Sequence, residues 1–288
     1  MLSYPEKVMI NDEIIDSENA KISVFDRGFL FGDGIYEVML HMGNQLLLGE
    51  EHFQRLNASL IKTGIEMDTA SIPGKIDRII EAAGLQGQEC LIYLQVTRGI
   101  APRTHTFPVE ATPTLMIYAL PYQIPPIEER DLQAITTPEI RWSHCDIKTT
   151  ALQGNVLSKE QAKQQGCFEA LFVREGIITE GSHSNVFFVR NNVVYTHPAN
   201  NFILNGITRL AVLDICHELG LTVIEEGIPA STLPSMDEAF LTGTTTQVAA
   251  LRKIDEHVFY KGDSKGTVTR KIQEAFSQLK TRSLEVSV

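Results

Sequence analysis

FEALFVREGIITEGSHSNVFFVRNNVVYT, residues 168–196, decides the fold class. FEALFV (168–173) and GII (176–178) flank Arg174-Glu175, while VFFV and VVYT flank Asn191-Asn192. Short β-branched and aromatic runs on either side of a two-residue polar break are hairpin signals. Hairpins in succession fit an α+β chain better than a regular alternation of strand and helix.

Helices adjoin these strands. Val212, Ile215, Cys216 and Leu219 form an apolar stripe closed by Gly220, and Ile76, Ile79, Ile80 and Ala83 form another closed by Gly84. IYEVML (35–40) reads as a strand with Tyr36, Val38 and Leu40 on one face, and LIYLQVT (91–97) and TLMIYAL (114–120) read as buried strands. Between the halves lies LPYQIPPIEE (120–129), where three prolines in six residues suit a linker. A chain of 288 residues is long for one small core. The expectation is an α+β fold of two domains, with mixed sheets and hairpins in both: a smaller N-terminal domain (1–120), a linker (121–127) and a larger C-terminal domain (128–288).

A net charge of -11 argues against a nucleic-acid partner, which needs a basic surface to neutralise phosphates. No run approaches the ~18 apolar residues of a membrane span, and the N-terminus has no apolar signal core. Cys90, Cys145, Cys167 and Cys216 are scattered without a CxxC, so neither a metal site nor a disulfide framework is expected. These features fit a reduced, cytoplasmic protein.

Several stretches could carry chemistry. DRGFLFGDGIYE (26–37) is glycine-rich, yet the dinucleotide fingerprint fails because Glu37 stands where the third glycine should be. In LNGITRL (204–210), Gly206 precedes a helix whose first-turn amides and Thr208 hydroxyl suit an anion, as do the hydroxyls of LTGTTTQV (241–248). Glu180 in ITEGSHSN (178–185) reads as a glutamate in a polar turn, a setting in which most are merely solvated. Arg103 and His105 in GIAPRTHTFP (99–108) are two apart, so a strand-like segment would aim both the same way as a carboxylate clamp. HCDIKTTALQGN (144–155) holds Lys148 with only Asp146 as a charged neighbour, an unusual setting for a solvated lysine.

Together these words resemble the fold-type IV, pyridoxal-phosphate-dependent class IV aminotransferases, and within them the D-amino-acid aminotransferase group. The resemblance runs from DRGFLFGDGIYEV through HFQRL, VTRGIAPRTHTFP, RWSHCDIKTTALQGNVLSKEQA, TEGSHSNVF and THPANNFILNGITR to LTGTTTQV. It implies that Lys148 is catalytic, forming the Schiff base with the cofactor and shuttling a proton between substrate Cα and cofactor carbon. It places Glu180 against the pyridine nitrogen, keeping it protonated, and Arg55, Ile207, Thr208 and Thr244 around the phosphate. The apolar stripe of the Arg55 helix (Phe53, Leu56, Leu60) points elsewhere, so periodicity alone reads Arg55 as solvated.

The resemblance further implies that Tyr36, Arg103 and His105 take the substrate carboxylate. The Arg-His pair would reach into the neighbouring subunit of a homodimer with a shared active site. The implied reaction moves an amino group from a D-amino acid such as D-alanine to 2-oxoglutarate, ping-pong through pyridoxamine phosphate. The partners implied are small amino and 2-oxo acids. Within the family, 4-amino-4-deoxychorismate lyase and branched-chain L-amino-acid aminotransferase are the alternatives. Pro-Arg-Thr-His and Val38 weigh against the lyase, and the Arg-x-His pair against the branched-chain enzyme. Two departures stand out: His183 replaces a serine of TEGSSSN, and Gly243 replaces a hydroxyl residue before Thr244.

Overall fold

The structure, a computed structural model, describes residues 4–126, 132–262 and 266–285. It divides into two compact units. The first holds residues 4–123, 147–152 and 283–285; the second holds the remaining described residues. Of the expected linker, residues 122–126 form no regular element, and residue 127 lies outside the described residues, as do 128–131 of the expected second domain.

The first unit runs β1 (Lys7–Ile10), β2 (Glu13–Asp16), α1 (Arg27–Phe31), β3 (Gly34–Met42), β4 (Gln45–Leu46), α2 (Gly49–Thr63), α3 (Ile72–Ala82), β5 (Cys90–Thr97) and β6 (Thr114–Pro121). Its six strands pair in the order β2-β1-β6-β5-β3-β4, antiparallel throughout. Period-2 alternation assigns the two faces. Ile35 and Met39 of β3, Ile92, Leu94 and Val96 of β5, and Leu115 and Ile117 of β6 pack against Leu56 and Leu60 of α2 and the isoleucines of α3. Each such buried side chain stabilises by roughly 1.5–3 kcal/mol relative to exposure. On the other face Tyr36, Tyr93 and Tyr118 stack in a row, with centroids 5.7 and 4.9 Å apart. Strands β5 and β6, expected to be buried outright, therefore have one core face and one half-buried aromatic face.

The second unit runs β7 (Leu132–Pro138), α4 (Gln153–Gln164), β8 (Glu169–Arg174), β9 (Ile177–Gly181), β10 (Asn185–Arg190), β11 (Val193–Thr196), α5 (Ile207–Glu218), β12 (Val223–Glu225), β13 (Glu238–Gly243), β14 (Gln247–Ile254), β15 (His257–Val258) and α6 (Thr267–Glu285). Its mixed sheet follows β12-β11-β10-β13-β14-β7-β8-β9, with β15 on β14, and β7 lies parallel to both β8 and β14. Both expected hairpins form. The Asn191-Asn192 turn has positive φ at both residues, 51° and 61°. The other turn is Glu175-Gly176 (φ 51° and 81°), one residue later than the sequence reading, because Arg174 still pairs with Ile177 and the left-handed backbone falls where glycine relieves it. Leu219, the last member of its stripe, is exposed just past the end of α5. Among the described residues no helix is long and apolar enough to cross a membrane.

Candidate active site

Lys148 belongs to the first unit, in a segment laid along the start of β3. Tyr36 N–H donates to Lys148 O at 3.0 Å, and Thr150 N–H and Thr149 Oγ1 donate to Gly34 O at 3.0 and 3.2 Å. The Lys148 Nζ stands 4.1 Å from the centre of the half-buried Tyr36 ring. A ring face attracts an ammonium without neutralising it. The amine is thus positioned by backbone pairing and faces an aromatic surface.

Behind β3, on its core side, Glu37 is 1% exposed. Arg55 grips it bidentately, Nε to Oε1 and Nη2 to Oε2 at 2.8 Å each, and His52 Nδ1 lies 2.7 Å from Oε2. Burial alone would raise the Glu37 carboxyl, but the Arg55 charge and hydrogen bonds, with His52, hold it at about 2. Burial lowers His52, and the Lys148 charge adds to that. Arg55 is therefore not solvated, as periodicity suggested; its side chain is 12% exposed and paired with a carboxylate from the neighbouring strand.

Arg103 and His105 lie in an exposed stretch without regular structure, not the strand-like segment expected, because prolines and backbone bonds to neighbouring side chains shape it. They still converge: the Arg103 guanidinium is 5.1 Å and the His105 ring 5.8 Å from the Phe31 ring.

In the second unit, Glu180 sits within β9 and is 4% exposed, a buried strand residue where a polar turn was expected. It accepts from Arg141 Nη1 at 2.7 Å, from Leu204 N–H at 3.0 Å and from Asn185 Nδ2 at 3.1 Å. Burial nonetheless pushes its carboxyl up to about 7, against the pull of Arg141. Arg141 is itself shared with Glu139 and lies 4.0 Å over the Phe172 ring.

Asn185 links this carboxylate to α5. Its Nδ2 also donates to Leu204 O at 2.8 Å, and its Oδ1 lies where a Cβ on Gly206 would fall, 2.2 Å away. Gly206 then caps α5 with no side-chain hydrogen bond, leaving the amides of Ile207 and Thr208 at an uncapped helix start. Across the sheet Asn185 pairs with Thr242, whose buried hydroxyl has no partner among the described residues, and Thr244 opens the following turn.

His183, for which the sequence offered no account, pairs through Nδ1 with Glu169 Oε2 at 2.8 Å. Glu169 is 0% exposed and also accepts from Ser182 and Ser184 hydroxyls at 2.5 and 2.6 Å. Burial opposes its ionisation, but His183, the Lys159 charge and the Ser182 hydroxyl hold it at about 2.

Glu37, His52, Glu139, Arg141, Glu169 and Asn185 were not singled out from the sequence. The one legible signal was Glu37, a carboxylate in the core-facing register of an otherwise apolar strand. Within each unit the expected groups have chemistry that pyridoxal phosphate calls for: the first offers the Lys148 amine on an aromatic face, and the second offers the buried Glu180 carboxyl and the uncapped start of α5.

Comparison with known proteins agrees with this chemistry. The family model for amino-transferase class IV matches residues 34–254. D-alanine aminotransferase of Staphylococcus epidermidis is 40% identical over 279 residues, covering 94% of this chain and 97% of that one. D-alanine aminotransferase of Bacillus licheniformis is 37% identical over 272 residues, covering 93% and 95%. The solved branched-chain amino acid aminotransferase of Thermobaculum terrenum in its PLP-form superposes with a TM-score of 0.82 at 25% identity, covering 96% and 94%.

Proposed function

The chain belongs to the class IV aminotransferase family, and from that premise we propose a pyridoxal-phosphate-dependent transfer of the amino group of a D-amino acid, such as D-alanine, to 2-oxoglutarate. The observation that carries the proposal is the setting of Lys148, an amine fixed by backbone pairing with its Nζ 4.1 Å from an aromatic face. The D-alanine aminotransferase relatives support the choice of enantiomer.

Pyridoxal phosphate, when bound, supplies an aldehyde that condenses with amines and a ring that draws electrons from the bond to be broken. Lys148 would provide the amine that tethers it and the base that moves a proton to and from substrate Cα. Glu180 offers its carboxylate to the ring nitrogen, and a cation there would hold that carboxylate ionised. Arg141 and Asn185 fix its two oxygens. Arg55, the Ile207 and Thr208 amides and Thr244 would bind the phosphate, and Glu37, itself paired with His52, orients Arg55. Tyr36, Arg103 and His105 hold the substrate carboxylate.

The Arg-His pair serves the site of a second copy in a homodimer. Exposed apolar side chains around its loop support this: Phe25, Phe29, Ile100, Phe107 and Val109 are each more than half exposed, at 58, 68, 57, 62 and 102%. Ala101 N–H donates to Phe25 O, so the segments carrying them adjoin. Contiguous exposed apolar surface marks an association site. Four free cysteines support a reducing, cytoplasmic setting.

The test is spectroscopic. Purified protein loaded with pyridoxal phosphate is expected to lose its visible absorbance on adding D-alanine and to keep it with L-alanine. Protein that stays colourless after incubation with the cofactor, or that bleaches only with the L-enantiomer, overturns the reading.

A further inference from the structure

Residues 102–108 hold the two groups assigned to the substrate carboxylate, yet they contribute little to their own shape. Their internal hydrogen bonds are Thr104 N–H to Pro102 O at 2.8 Å, the Thr104 hydroxyl to Thr106 O at 3.4 Å and the Thr106 hydroxyl to the Thr104 hydroxyl at 3.5 Å. The remaining order comes from a buried arginine outside the stretch. Arg27, 3% exposed, donates from one nitrogen, Nη1, to Thr104 O at 2.8 Å and to Thr106 O at 3.4 Å. Those are carbonyls on either side of His105. The same guanidinium lies 4.7 Å over Phe31, the ring on which Arg103 and His105 converge.

Arg27 is itself firmly held. Its Nε donates to Asp33 Oδ2 at 2.7 Å, and Arg98 grips the same carboxylate through Nε at 2.8 Å and Nη2 at 3.0 Å. Arg98 is anchored in turn to Thr63 O and Gly64 O and lies 3.6 Å over Phe107, at the far end of the stretch. At the start of α1, Asp26 takes the Thr97 and Thr114 hydroxyls at 3.0 and 2.7 Å, tying the helix to the ends of β5 and β6. A rigid sheet therefore reaches the exposed stretch through a chain of charge-assisted bonds. Burying a guanidinium is costly unless its donors are all used. Here Nε is used on Asp33, and Nη1 is used on the backbone of one loop.

We propose that Arg27 is a positioning residue for substrate binding, fixing the 102–108 backbone so that Arg103 and His105 are presented together before substrate arrives. This rests on the reading of those two residues as the carboxylate-binding pair. Holding a binding group in its bound geometry removes an ordering cost from association. Losing that order weakens the affinity for the carboxylate, leaving the chemistry at Lys148 intact once substrate is bound.

The experiment compares loaded wild-type enzyme with Arg27→Met, Phe31→Leu and Arg103→Met, by steady-state kinetics with D-alanine and by amide hydrogen exchange of peptides covering 102–108. Arg27→Met is expected to raise KM for D-alanine about 10-fold while kcat stays within about 3-fold, the signature of lost binding. Exchange in 102–108 accelerates and the visible absorbance of bound cofactor is unchanged. Phe31→Leu, which leaves the bonds from Arg27 to the carbonyls in place, raises KM less and leaves exchange unaltered. Unchanged KM and exchange in Arg27→Met, or a joint fall of kcat and melting temperature at constant KM, overturns the proposal. If Arg103→Met raises KM and Arg27→Met does not, the positioning role alone fails. If Arg103→Met leaves KM unchanged, the carboxylate-binding reading fails, and exchange still decides whether Arg27 orders the loop. Should Arg27→Met not fold, Arg27→Lys, which keeps the charge but not the fork, decides in its place by the same two readouts.

Discussion

Glu37 and Arg55 meet fork to fork, Nε on Oε1 and Nη2 on Oε2, both at 2.8 Å, with the carboxylate 1% exposed on the core side of β3. The pair fixes a guanidinium that would otherwise swing with its helix. It also makes the fold sensitive to acid. Glu37 and Glu169 titrate at about 2 in the folded chain against an ordinary 4.5, so the fold binds fewer protons than the unfolded chain in that window. The stability they contribute is fully present above about 4.5 and is lost as pH falls through 2. Removing one partner of a buried pair costs about 3–5 kcal/mol. Glu37→Gln should therefore melt lower than wild type at pH 7, and the gap should narrow as pH falls from 5 to 3. Melting curves across that range check it; a constant gap would count against the ion pair.

In the proposed reaction Lys148→Ala removes the tethering amine and the proton carrier together. Turnover of D-alanine with 2-oxoglutarate should fall by at least about 10²–10⁴-fold, the range of a lost general base. Melting temperature should barely change, since the segment is held by backbone bonds of Lys148 and Thr150 and by the Thr149 hydroxyl rather than by the amine. Undiminished turnover would remove Lys148 from the chemistry.

Glu180→Gln keeps the shape and drops the charge, so kcat should fall about 10²-fold or more. The cofactor-free protein should respond oppositely. Burial lifts Glu180 to about 7 from an ordinary 4.5, so the folded chain binds the extra proton and loses stability as pH rises between those values. Relative to wild type, cofactor-free Glu180→Gln should gain melting temperature from pH 5 to pH 8. A gain that shrinks over that interval would show that the carboxylate is fully compensated by Arg141.

Phe29 is 68% exposed on α1, and a surface substitution away from special features changes stability by only about 0.5 kcal/mol. Phe29→Asp should still fold, yet elute as a smaller species in size-exclusion chromatography and lose most activity, because isolated subunits would lack the partner's Arg103 and His105. An active variant of unchanged size would place the contact between subunits elsewhere.

What the sequence disclosed was local. The Asn191-Asn192 turn was legible because asparagine chemistry sets the backbone by itself, and Lys148 stood out because its neighbours lack charge. The partners of the site were not legible. Arg55 meets Glu37 18 residues away, and Arg141 meets Glu180 39 residues away. Helical periodicity reports which residues are apolar, so it misplaced Arg55, whose burial comes from a carboxylate on another element. Glu180 misled in the other direction, since its neighbours look like a turn while β9 carries strand register through Gly181.

The lysine-bearing stretch belongs to the first unit although the chain on both sides of it belongs to the second. Hybrid enzymes assembled from two relatives by crossing over near residue 123 would therefore join the amine of one parent to the β3 backbone of the other. To inherit Lys148 together with the strand that registers it, a recombination scheme has to transplant residues 147–152 along with the N-terminal 123.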